Sequence, residues 1–264
     1  MHCLIEGAPP EGAAPAWLEA LLAQATELPP CQPDPLDPHT PAERWLGHLH
    51  GLPDEAALPL AAWTLRERSR PWCFVSPVHL QLEAAQVLAL PQQTLALSEA
   101  DSRALFALMA PLFPAAEGWE LQWLSPLQWA LAHEQLDGLR LASLRKAEGR
   151  PLTPWLPEDR RLRRWTNEVQ MLWHEQPLNR ARLEAGLPAV NSIWWWGAGR
   201  FAGEPPEALQ QHEGWPAALE LPAGSVLALA GERQVRSFEI GARRWWQRLL
   251  GGRAPDAATL LASL

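Results

Sequence analysis

Tyrosine is absent from this chain, lysine occurs once, at Lys146, and cysteine occurs three times. Arginine therefore carries nearly all of the positive charge, which is the pattern of a GC-rich coding sequence. The 22 basic residues face 30 acidic ones, and a net charge of −8 excludes the broad positive surface of a nucleic-acid-binding protein. Cys3, Cys31 and Cys73 are scattered without a C-x-x-C pair, which excludes a disulfide framework and a zinc knuckle and fits a reducing cytoplasm. No run of about eighteen apolar residues is present, so no membrane span is expected. The N-terminus lacks the basic start and apolar run of a secretion signal, and a cytoplasmic protein is expected.

Tryptophan and proline are what the chain has in excess. Sixteen Trp against five Phe are too many for one binding site, so most must be core. Trp194, Trp195 and Trp196 include the exceptions most open to a ligand, because they run into a glycine pair. The 264 residues suffice for one large or two small domains.

Residues 1 to about 70 are punctuated by Pro29, Pro30, Pro33, Pro35, Pro38 and Pro41, which forbids a continuous helix or a central strand there. A short helix is expected over Ala16–Glu27, and Thr40-Pro41-Ala42-Glu43 is a capping box with proline at the first helical position. His48 and His50, two apart on a helix, point in different directions and read as surface residues. This part is expected to be a proline-rich helical region, residues 1–70, packed on a main domain of residues 71–264.

From Trp72 the pattern becomes extended, with strands expected over Cys73–Leu82 and Gln86–Leu90. A helix should start at Ser98, with Leu105, Phe106, Met109 and Phe113 on its apolar face. Trp119–Trp123 alternates with period two and Leu127–Leu131 runs back, so a hairpin is expected. The fold class that follows is α+β with an α/β-like core, a mixed sheet covered by helices.

Pro157–Gln176 carries the clearest amphipathic helix, with Leu162, Trp165, Val169, Leu172 and Trp173 on one side. Asn167, Gln170 and His174 form a polar row that faces either a ligand or water. Arg160, Arg161, Arg163 and Arg164 oppose the helix dipole at its first turn. They either hold an anion or lie along apolar surface with their heads in water. After position 200, Gly203–Gly224 reads as a long loop or lid with a turn at Pro206–Gln211. Ser225–Ala230 reads as a strand beside Val190–Trp196, and Phe238–Leu250 as a helix.

The chain is organised around His174–Arg200. Pro177 suits the first turn of a helix that Gly186-Leu187-Pro188 ends. Val190–Trp196 is then a central strand, and Gly197-Ala198-Gly199 is either a tight turn or a loop whose N–H groups cradle a phosphate. Asn179, Arg182 and Asn191 bracket this unit, as caps or as ligand-binding groups.

The pattern Pro177, Asn179, Arg182, Gly186-Leu187-Pro188, Asn191, Gly197-Ala198-Gly199 resembles the archaeal-type cofactor-independent phosphoglycerate mutases. A closer resemblance, through Asn167–Leu172 and Pro188–Ser192, is to the proteobacterial RpfE-like proteins, described as regulatory proteins or mutase-like. The mutase resemblance implies two metal ions held by Asp and His residues, and a Ser or Thr nucleophile. Those motifs are missing: the N-terminus is not a strand ending in Asp-Gly, and no Asp/His cluster follows residue 200. An Arg that precedes the glycines in the mutases is Trp196 here. A His-Asp pair is replaced around Ala142-Ser143-Leu144, and an Arg near Gln128 is gone.

The expected protein is thus a non-catalytic or degenerate mutase relative acting as a binding or regulatory protein. No catalytic residue, metal site or cofactor is assigned. Its partner is either a phosphorylated small molecule or a protein, and the ligand-binding candidates are Asn179, Arg182, Asn191, Trp196, Gly197, Gly199, Asn167 and His174. A mutase-like isomerase and a structural partner subunit are the alternatives.

Overall fold

The computed structural model describes residues 2–6, 15–203, 209–213, 221, 225–230 and 235–240. In chain order the elements begin with β1 (His2–Glu6), α1 (Ala16–Leu22), β2 (Ala25–Glu27), α2 (Pro41–Leu49) and α3 (Leu60–Leu65). Next come β3 (Trp72–Val78), β4 (Leu80–Glu83), β5 (Gln86–Ala89), α4 (Glu99–Met109), β6 (Glu120–Ser125) and β7 (Gln128–Ala132). They end with α5 (Leu144–Ala147), α6 (Arg160–His174), α7 (Pro177–Glu184), β8 (Ser192–Gly199), β9 (Leu209–Glu213), β10 (Val226–Ala230) and β11 (Val235–Ile240). Helices alternate with several sheets, one of them mixed, so the protein is α+β.

The chain forms two compact units, one of Glu55–Ala202 with Leu36–His39, the other of Met1–Pro35, Thr40–Asp54 and Gly203 onward. This division differs from a cut near residue 70. Its cause is β1, whose strand partners β9 and β10 come from the far end of the chain.

In the larger unit, β6, β7, β3 and β8 form an antiparallel sheet in that order. All of β3 is buried, because both faces of the sheet are covered. On one face α4 and α6 pack Leu105, Met109, Leu162, Val169 and Trp173 against Val75, Trp129, Leu131 and Trp195. On the other, Ala142, Leu144, Ala147 and Leu152 meet Val78 and Trp194, with Trp155 and Trp196 at the margin. Each fully buried indole contributes about 4–6 kcal/mol as an upper bound, at ~25 cal/mol per Å² over ~150–250 Å². That exceeds the penalty for burying one indole N–H, and the three successive tryptophans avoid even this penalty. Trp194 donates to Ala142 O at 2.8 Å, Trp195 to Thr166 Oγ1 at 3.0 Å and Trp196 to Ser76 Oγ at 3.0 Å.

Two expectations for this sheet are corrected. Val190–Trp196 was expected to be an interior strand flanked by Ser225–Ala230. Instead β8 is an edge strand that pairs with β3 alone among the described residues, and β10 belongs to the smaller unit's sheet. The helix covers α3, α5 and α6 supply the burial that a second strand neighbour was expected to give. Nor do Gly197 and Gly199 stop the strand, which runs through both.

α6 is capped by Asp159, whose Oδ1 accepts the N–H groups of Arg161 and Leu162 at 2.7 and 3.4 Å. The anion beside its arginine-rich first turn is therefore the chain's own. The side-chain hydrogen bond from Arg161 is the main cause holding the Asp159 carboxyl below its ordinary range. Arg164 pairs with Glu168 one turn on.

The smaller unit has a mixed sheet in the order β2-β11-β10-β1-β9, with β1 parallel to both neighbours and the other pairs antiparallel. The period of two decides its layers. Cys3 and Ile5 face Leu18 and Leu22 of α1, and Leu4 packs with Ala42 and Trp45 of α2. The capping box is present at Thr40 and Glu43. Three further corrections follow: Ala25–Glu27 leaves the expected helix to pair with β11, Leu209–Gln211 is strand rather than turn, and Phe238–Ile240 is strand rather than helix. Most of the rest of the expected lid, and the expected helix beyond Ile240, lie outside the described residues. His48 is exposed as expected, but His50 is buried.

None of the three cysteines is in a disulfide. Burial pushes the Cys3 thiol up to about 11 and pushes Cys73 up as well, so both act as small apolar residues. Among the described residues no helix is long and apolar enough to cross a membrane.

Candidate functional site

Pro177 opens α7 and Gly186, at φ +75°, closes it, with the Leu187 N–H returning to Arg182 O at 2.9 Å. This turn delivers Asn179, Arg182 and Asn191 to the junction with β8. Asn179 is buried, and its amide N–H groups donate to Trp173 O and Val190 O, both at 2.9 Å. Its Oδ1 accepts the Val190 N–H at 2.8 Å. Asn191 repeats the device on the start of β4, accepting from Leu80 N at 2.8 Å and donating to Leu80 O at 2.9 Å. Each amide thus stands in for a strand's own donor and acceptor.

Arg182 is 4 % exposed. Its Nε donates to Pro188 O at 3.1 Å and its Nη2 to Leu95 O, tying α7 to the turn before α4. The Asp101 carboxylate lies 3.9 Å from Nη1, and burial, the larger effect, lowers the guanidinium's affinity for its proton. His79 contributes one more tie, Nδ1 donating to Ala189 O at 2.7 Å.

At the other end of β8 the glycines have a steric cause. Gly197 has φ +63°, and a Cβ there would lie 2.9 Å from Leu60 Cβ. A Cβ on Gly199, at φ +143°, would lie 3.2 Å from Pro59 Cβ. Both let the start of α3 approach the strand. A bulge falls here, between the Trp72–Gly199 and Phe74–Trp196 pairs. Trp196 remains half-buried, its ring tilted over Phe74 at 4.6 Å.

The candidates therefore form separate groups. Asn179, Arg182 and Asn191 share the junction, whereas Gly197 lies about 20 Å from Asn191 along the strand, more than one small phosphorylated molecule spans. Asn167 and His174 are both exposed on α6, and from the same polar row only Gln170 turns inward, to Ser192 Oγ at 2.9 Å. Sequence reasoning overlooked the polar groups around α5, namely Asp37, His39, Ser143 and Lys146, all buried. The signal available was the lone lysine, three residues after a serine. Among the described residues no three His, Cys, Asp or Glu side chains come together as the two metal ions implied by the mutase resemblance would need.

No family model matches the chain, and no curated protein matches it. Solved structures similar to it include two archaeal proteins. The cofactor-independent phosphoglycerate mutase from Thermoplasma acidophilum DSM 1728 superposes with a TM-score of 0.37 at 10% identity, over 92% of this chain and 90% of that one. The PH0037 protein from Pyrococcus horikoshii superposes with a TM-score of 0.41 at 16% identity, over 77% of this chain and 52% of that one. At those TM-scores the likeness fixes neither topology nor activity.

Proposed function

We propose that the protein is a binding or regulatory protein related to the cofactor-independent phosphoglycerate mutases and the RpfE-like group, with a phosphorylated small molecule as its ligand. One observation carries this reading. The residues through which the chain resembles the mutases, Asn179, Arg182 and Asn191, have their polar atoms on main-chain partners, so they brace a scaffold. Among the residues proposed for the ligand, Trp196 presents a partly open indole, and Asn167 and His174 are exposed on α6.

Purified protein supplied with Mn²⁺ or Mg²⁺ is expected to interconvert phosphoglycerates no faster than a heat-killed control. Metal-dependent turnover abolished by a point substitution reverses the reading in favour of a mutase-like isomerase. A thermal-shift series with phosphorylated metabolites tests the ligand class directly.

A second reading, a partner-binding subunit, is favoured by the hairpin β4–β5. Leu82 and Val87 are cross-strand partners left 73 % and 39 % exposed, and Leu156, one turn beyond the Leu152 that bonds Val87, is 50 % exposed. Leu82→Ser with Val87→Ser is expected to leave the melting temperature in place and to abolish any self-association seen by sedimentation if this patch holds a partner.

A further inference from the structure

α6 opens with Arg160, Arg161, Arg163 and Arg164 around Leu162. Cations in a first turn act against the helix dipole, and acidic side chains would be the stabilising choice. Folding therefore gives no reason for these arginines, and a local rule broken without local compensation points to function. Arg161 is accounted for, since it turns back to the Asp159 carboxylate at 2.6 Å. The other three turn away. At about 100° of rotation per residue, Arg160, Arg163, Arg164, Asn167, Met171 and His174 share one side of α6, opposite Leu162, Val169 and Trp173. All six are exposed, whereas the three apolar residues are buried.

This side of the helix is basic and largely unneutralised. Glu168, the one acid in α6, pairs with Arg164 at 2.8 Å. Arg163 Nη2 donates to Glu158 O at 3.0 Å, and among the described residues neither Arg160 nor Arg163 has an ion pair. Stems lying along apolar surface do not explain the row, because the Arg164 side chain is 79 % exposed. Met171, beyond Asn167, is 74 % exposed. The chain as a whole is acidic, with a net charge of −8. A nucleic acid or an anionic membrane would meet repulsion from the rest of that surface, whereas a short acidic segment meets the arginines alone.

We propose that this side of α6 docks an acidic segment of a partner protein, its carboxylates on Arg160, Arg163 and Arg164. Guanidinium forks match carboxylates, and a flexible methionine adapts to the apolar residue that follows them. Met171 lies two turns beyond Arg164, about 10 Å along the axis. The segment therefore carries its acids at one end and an apolar side chain about 10 Å further on. A protein partner on α6 is independent of a phosphorylated ligand, and failure of either leaves the other standing.

The test titrates the full chain into a fluorescein-labelled synthetic helix with glutamates in its first half and leucines in its second, and into a copy with glutamine for each glutamate. Anisotropy should report saturable, salt-weakened binding of the glutamate peptide and none of the glutamine copy. Arg160→Gln with Arg163→Gln should weaken binding about tenfold or more. By relieving the helix dipole, the same pair should raise the melting temperature by about 1–4 °C. Met171→Ser should weaken binding and leave the melting temperature in place. Arg150→Gln, just beyond α5 on the opposite face of the sheet, should change neither. A merely solvated face gives the rise in melting temperature without the loss of binding, and that result overturns the docking site. So do equal binding of the two peptides, equal weakening by Arg150→Gln, and a double variant that melts lower, because the arginines would then serve the fold. Tighter binding of duplex DNA or of phosphatidylglycerol vesicles, lost in the same double variant, overturns the choice of a protein partner.

Discussion

Asn179 concentrates more of the junction's stability than its size suggests, because one amide satisfies three main-chain groups. Asn179→Ala leaves a buried N–H and two carbonyls unpaired, and a loss of about 2–4 kcal/mol is expected in urea denaturation. Arg182→Ala is expected to lose roughly 2–3 kcal/mol, and Arg182→Lys to recover little, because one ammonium cannot replace Nε and Nη2 on carbonyls in different segments. A stable Arg182→Ala protein with weakened ligand affinity would return Arg182 to the ligand. Glu148 offers a pH-dependent test. Burial, the largest effect, raises its carboxyl above the ordinary value, so the folded chain holds that proton more tightly than the unfolded one. By linkage its contribution is nil at low pH and becomes a penalty as pH rises through the raised value. Glu148→Gln keeps an acceptor for the Gln92 N–H. It should raise the melting temperature at about pH 7 and lose that advantage near pH 4. A gap that calorimetry finds equal at both pH values would refute the assignment.

Among the elements, two glycines of the central stretch separate torsion from packing. Gly186 and Gly197 both have positive φ, but a Cβ on Gly186 meets nothing within 4 Å, whereas one on Gly197 runs into Leu60. Gly186→Ala is expected to lose about 1 kcal/mol from torsion alone, and Gly197→Ala roughly 2–4 kcal/mol as α3 is pushed off the strand. Equal losses in chemical denaturation would show that α3 yields freely. These glycines also mark where the sequence was legible. The capping box at Thr40, the amphipathic α6 and the β6–β7 hairpin were readable because their causes lie within a few residues. That Gly197 and Gly199 serve α3 was not, since Pro59 and Leu60 are remote in sequence and a Gly-Ala-Gly pattern looks alike in a strand and in an anion loop. The polar trio was found, but the carbonyls it serves carry no side-chain signal. For the same reason Ser143 and Lys146 were visible as letters without their burial.

At the scale of the molecule, the sheet memberships of β1, β8 and β10 were the least legible features, because strand partnership is decided by segments far apart in the chain. β1 is apolar on both faces, and its register with Val226–Ala230 joins the start of the chain to its far end. In the larger unit the β6–β7 hairpin closes over a two-residue turn. The chain entropy of bringing ends together grows with their separation, so local pairings form before remote ones. In pulsed hydrogen exchange during refolding, the amides of β6 and β7 should therefore gain protection before those of Cys3, Leu4 and Ile5, which must await β10. Leu4→Ala, removing a buried side chain between β1 and α2, should lower stability by about 2–5 kcal/mol and leave the protection rate of β6 and β7 unchanged. Simultaneous protection of β1 and the hairpin, or a slowed hairpin in Leu4→Ala, would mean that the two units share one nucleus.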